Sequence, residues 1–141
     1  MFSLSAASAR AALGSVWAIF FLLNLAVAFS LHLRGAIEDD NFFALVAQLN
    51  SSYVTYLAAI IGFYVVSATR KVKTPPNVTS YLVAIIASLL WNCGITLFVL
   101  PLALGHGRVE DAVKYIGYFA PLFSWVVAPI FTVFFVKTVS D

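Results

Sequence analysis

Charge is what this sequence has least of. Its 141 residues include 8 Lys and Arg and 6 Asp and Glu, 10% in all, where a soluble domain carries roughly 25%. All of these charges fall outside four stretches, 11–33, 41–69, 74–107 and 115–136. The stretches are 23, 29, 34 and 22 residues long and hold 108 of the 141 residues. About 20 apolar residues suffice to cross a bilayer, and too little polar chain is left to build a water-soluble domain. The composition therefore indicates an all-α integral membrane protein.

Other absences narrow the function. With one cysteine, Cys93, no intramolecular disulfide can form. No zinc-type Cys/His spacing, GxGxxG, Walker loop, GxSxG or HExxH occurs. The net charge is only +2, and its basic residues are scattered apart from one short loop, which argues against a nucleic-acid partner. The longest hydrophilic segment is about a dozen residues, too short for a catalytic domain outside the membrane. No Asp, Glu, Lys or Arg lies deep in a span, where ion- or proton-coupled transport usually places one. A non-enzymatic protein without a cofactor is expected.

Four spans follow, at about 11–33, 50–69, 80–104 and 115–136. Ala26-Val27-Ala28 resembles the end of a signal peptide, but the uncharged run continues to Leu33, so the segment reads as a retained first span. Ser3, Ser5, Ser8 and Arg10 also fit the Ser-rich, acid-poor pattern of an organelle presequence, although the stretch is short for one. Glu38-Asp39-Asp40-Asn41 can start the next helix with favourable negative charge. Phe42, Leu45, Val46 and Leu49 then repeat at helical spacing. Asn50-Ser51-Ser52 interrupts the apolar pattern before Tyr53. Either one long tilted helix or a short interfacial helix followed by a separate span fits; the second is expected, because thirty helical residues would reach about 45 Å against a hydrocarbon thickness of about 30 Å. Pro75-Pro76 ends the second helix, Thr79 or Ser80 can cap the third, and Pro121 and Pro129 predict kinks in the fourth.

With four spans both termini share a side with Arg70, Lys71 and Lys73. Together with Arg10 and Lys137 these outnumber Arg34, Arg108 and Lys114 opposite, which predicts N-in and C-in on the cytoplasmic (or matrix or stromal) side. Arg70, Lys71 and Lys73 are also candidates to hold anionic lipid headgroups. Trp17, His32 and Arg34 recur as Trp91, His106 and Arg108 at an offset of 74, and Glu38-Asp39 as Glu110-Asp111 at 72. That pattern admits a duplicated two-helix hairpin, its halves related by an axis along the membrane normal.

Two constellations carry the functional expectations. Asn24, Ser88, Asn92 and Thr96 form polar stripes at helical spacing. They serve either helix packing or, in an oligomer, the lining of a pore. Gly14-x-x-x-Ala18 and Ala58-x-x-x-Gly62 add faces of small residues. At the outer side His32, Glu38, Asp39, His106, Glu110 and Asp111 would form a metal- or pH-sensitive cluster if they converged. The metal stays unassigned, and a redox-linked subunit is the corresponding alternative. Trp17 and Tyr81 are expected near the inner boundary and Tyr53, Tyr56, Tyr115 and Tyr118 near the outer one. Trp91, at mid-span, should need a buried partner for its indole N–H. The leading expectation is a protein acting by helix association among membrane lipids, as an accessory subunit of a membrane complex or as a self-associating homo-oligomer.

Overall fold

The computed structural model describes residues 6–67 and 78–136. Its elements are α1 (Ala6–Leu33), α2 (Asp39–Ser67), α3 (Val78–Ala103) and α4 (Val109–Phe131), followed by a π-helical turn, Thr132–Val136. All four α-helices are long and apolar enough to cross a membrane. Arg70, Lys71, Lys73 and Lys137 lie outside the described residues.

Two expected boundaries are corrected. No interfacial helix precedes the second span: α2 is one helix of 29 residues, about 43 Å long at 1.5 Å per residue. The Ser51 and Ser52 hydroxyls donate to the Gln48 carbonyl at 2.9 Å. Their polarity is thus satisfied within the helix and does not break it. The fourth helix starts at Val109 rather than 115, with Glu110 and Asp111 in its first turn, where the helix dipole favours carboxylates. It runs through both Pro121 and Pro129 before the π-helical turn. Thr79 and Ser80 lie inside α3.

Both hairpins turn in the same way. At the end of α1, Gly35 N–H donates to His32 O and Ala36 N–H to Leu31 O, each at 2.9 Å. At the end of α3, Gly105 donates to Leu102 at 3.1 Å and His106 to Pro101 at 2.8 Å. These are the paired bonds of a Schellman cap. It needs a left-handed residue, supplied by Gly35 at φ 67° and Gly105 at φ 74°. The turns therefore correspond at an offset of 70, not 74.

Packing sets the neighbours. α1 lies against α2 and α3, and α4 against α2 and α3, so α1 and α4 occupy one diagonal and α2 and α3 the other. Trp17 meets Trp91 and Asn24 meets Thr96, which makes α1 and α3 parallel neighbours. Gln48 beside Gly117 and Phe63 beside Phe135 show the same for α2 and α4. A twofold along the bundle would exchange diagonal helices. The similar hairpins are instead laid side by side, so the expected symmetry axis is not present.

The end of the bundle carrying the chain's first helix turn holds a buried cation. Arg10 is 4% exposed. Its Nε donates to the Phe134 carbonyl at 3.1 Å, and its guanidinium lies 5.1 Å from the Phe63 ring centre. The sequence pattern treats Arg10 as a surface charge that sets topology, whereas the fold uses it to clasp the π-helical turn. Arg10→Met keeps the stem and removes the donor. It is expected to raise amide exchange across 132–136 roughly tenfold or more, since hydrogen bonds to charged groups contribute about 1.5–3 kcal/mol. Unchanged exchange there would show that the turn is held by other contacts.

A polar cleft at mid-height as candidate functional site

The middle of the bundle is aromatic and polar together. Tyr53 is the midpoint of α2 and Ala120 of α4, and Trp91 lies within one residue of the midpoint of α3. At this height Trp17 packs on Trp91 with ring centres 4.7 Å apart, on Tyr56 at 4.4 Å and edge-on to Phe131 at 4.8 Å. Tyr53 meets Trp91 edge-on at 5.0 Å. Trp17, Tyr53 and Tyr56 are thus core side chains rather than boundary anchors. Their rings fill the space between four helices better than they would fill a headgroup layer, and edge-to-face pairing stabilises them there. Tyr115 and Tyr118 remain on the outer surface of α4, and Tyr81 is half-buried.

The polar stripe is inside the same chain. Asn24, Ser88 and Asn92 are 0% exposed. Asn24 Nδ2 shares its two hydrogens among Thr96 Oγ1 at 3.1 Å, Tyr53 Oη at 3.3 Å and Phe20 O at 2.9 Å. Asn92 Nδ2 donates to Ser88 O at 2.8 Å and Thr96 Oγ1 to Asn92 O at 2.9 Å. A pore wall shared between copies would need this stripe on an outer face, and it is not there. Among the described residues the indole N–H groups of Trp17 and Trp91, Asn24 Oδ1, Asn92 Oδ1 and Ser88 Oγ find no partner. The expected partner for Trp91 is therefore missing, and the centre keeps unspent hydrogen-bonding capacity on both donors and acceptors.

A cleft reaches this centre from the side. Between α2 and α4 lies a cavity of about 360 Å³, lined by Gln48, Ser51, Ser52, Thr55, Tyr56, Trp91, Ala120, Pro121, Ser124 and Ala128. Gln48, Ser51, Ser52 and Thr55 stand at i, i+3, i+4 and i+7, one face of a helix. Opposite them α4 offers small residues: the Gln48 amide packs over Gly117, where an added Cβ would sit 3.7 Å from it. Pro121 has no N–H to donate to the Gly117 carbonyl four residues earlier. Ser124 Oγ donates to Pro121 O at 2.8 Å. No residue of this cleft is among the candidate site residues of the sequence, which singles out Tyr56 and Trp91 only as aromatic positions. The spacing of its α2 residues was the available signal, hidden by reading 50–52 as a helix break.

At the outer end the two histidines occupy different places. His32, in the last turn of α1, stacks on Phe42 with ring centres 4.4 Å apart. Its Nδ1 lies 3.7 Å from Asp39 Oδ1, too long for a hydrogen bond. His106 is exposed beyond the Gly105 cap, at the position that Ala36 takes in the first hairpin. Glu110 sits 3.4 Å from Arg108 Nε and hydrogen-bonds to Asn41. Glu38 and Glu110 line an open cavity of about 450 Å³ between the turns, while Asp39 and Asp111 are exposed. Among the described residues no three His, Cys, Asp or Glu side chains gather as metal ligands would. The condition of convergence is not met among the described residues, because the turns repeat at 70 and the His-x-Arg pattern at 74.

Comparison with known protein families, with curated proteins and with solved structures finds no match.

Proposed function

We propose that this chain is a non-enzymatic, multi-pass membrane protein that acts by helix association, either within a larger membrane assembly or with its own copies. Both termini face the cytoplasm, or the matrix or stroma of an organelle, on the balance of its Lys and Arg. The observation that carries the reading is the contrast between flanks. The outward faces of α1 and α3 carry large aliphatics such as Leu22, Leu23, Ile86 and Leu90, which suit lipid. The α2/α4 flank carries amides, hydroxyls and small residues at mid-height. Lipid tails offer such groups nothing to bond, and helices in membranes associate through them.

The test is the native mass after gentle extraction. A particle at a multiple of 15.3 kDa, or one containing other polypeptides, is the expected result. A free monomer with no cross-linked neighbours in its own membrane would remove the proposal.

A further inference from the structure

On the opposite flank, the seam between α1 and α3 opens into a groove near the turns. The groove has a volume of about 310 Å³ and is lined by Leu23, Ala26 and Val27 along its length and by Ser30, Ala103 and Arg34 toward the turns. Leu23, Ala26 or Val27, Ser30 and Arg34 stand three or four residues apart, which puts them on one face of α1. Ala26 and Ala103 are exposed, so small side chains leave the groove accessible from the side. Its two ends differ in chemistry. The deep end is aliphatic, and the turn end carries a cation. Among the described residues neither the Arg34 guanidinium nor the Ser30 hydroxyl has a hydrogen-bond or ion-pair partner. The corresponding arginine of the second His-x-Arg motif is different, because Arg108 lies 3.4 Å from Glu110.

We infer that this groove binds one phospholipid of the leaflet on the turn side, with an acyl chain between α1 and α3 and the phosphate on Arg34. The inference rests on the multi-pass reading above and is independent of helix association. Depth is the first argument. Leu23 lies ten residues before Leu33, the end of α1, about 15 Å at 1.5 Å per residue. One leaflet supplies half of a hydrocarbon core of about 30 Å. The groove therefore runs from the headgroup level to the bilayer middle, the reach of one acyl chain. Charge is the second argument. A guanidinium binds phosphate oxygens through paired N–H donors, and the Ser30 hydroxyl stands one turn below it as a further donor. An uncharged helix would fill the groove and leave Arg34 unpaired. Inorganic phosphate would pair with Arg34 and leave the aliphatic length uncovered. A phospholipid meets both requirements in one molecule.

The test is photolabelling of the whole chain, delipidated in a mild detergent, by phosphatidylglycerol carrying a diazirine in mid-acyl chain, with the adducts mapped by mass spectrometry. Adducts should concentrate at 23–30 and at Ala103. Arg34→Gln, which removes the phosphate donor, and Ala26→Phe, which fills the groove, should each lower labelling there roughly tenfold or more. Both positions are exposed, so the thermal midpoints should stay at the parent value. Arg108→Gln should leave the labelling unchanged, and excess inorganic phosphate should not displace the probe. Equal labelling by a diacylglycerol with the same diazirine chain would reduce the groove to an aliphatic contact and overturn the proposal. Displacement by inorganic phosphate would overturn it in favour of a soluble anion, and full labelling of Arg34→Gln would remove the role of the cation. A chain released from its membranes by alkaline carbonate would overturn the multi-pass reading as well. Absent labelling of a carbonate-resistant chain would overturn the lipid site alone.

Discussion

Trp91→Ala is expected to cost about 3–5 kcal/mol, the range for emptying a buried tryptophan site, and to lower the thermal midpoint in mild detergent by roughly 10 °C. The indole touches Trp17, Tyr53 and Tyr56 with ring centres 4.7, 5.0 and 5.5 Å away. Helices from both hairpins therefore lose a shared contact at once. Apolar transfer drives little in lipid, so the loss is mainly dispersion from rings left facing a void. Trp91→Phe separates packing from hydrogen bonding. It keeps most of the ring and deletes an N–H that has no acceptor among the described residues. Since an unsatisfied buried donor costs about 1–3 kcal/mol, this variant should fall within about 1 kcal/mol of the parent. Equal damage from both substitutions would mean that the N–H is already bonded.

Gly94→Ala should have the next largest effect. An added Cβ at Gly94 would overlap the Phe119 ring, which is held by stacking on Phe123 at 4.5 Å and edge contact with Phe98 at 5.6 Å. The ring cannot move aside without breaking those contacts, so overpacking of about 1–3 kcal/mol is expected. Phe119→Ala should be destabilising alone, yet in the double variant the methyl at 94 would occupy part of the vacated space. The double variant should then be more stable than the sum of its parts by about 1 kcal/mol or more. Strict additivity in urea or thermal unfolding would show that Phe119 does not sit over Gly94.

The sequence pattern and the fold part company at identifiable residues. Fourteen charges excluded from four long stretches make four apolar helices legible, because keeping a charge out of hydrocarbon is a property of each residue by itself. The hairpin ends are legible too: Gly35 and Gly105 mark caps that need a left-handed residue. The continuity of α2 was not legible, because the serines at 51 and 52 look like a break until their hydroxyls are seen bonded to Gln48. Nor was the burial of Arg10, whose acceptor, Phe134, is 124 positions away. The His-x-Arg pattern misled because identical letters at an offset of 74 stand in turns that correspond at 70.

What the sequence by itself determined, then, is the class: four long apolar helices with short turns, set by one-residue preferences for lipid or water and by local backbone rules. Which helices are neighbours, that Trp17 and Trp91 meet at the centre, and that Gln48, Ser51, Thr55 and Ser124 share one cleft were decided only by the tertiary structure. These are pair properties of residues some 70 positions apart. They depend on how ring volumes and small residues interlock between helices, and no periodicity within a single helix records that.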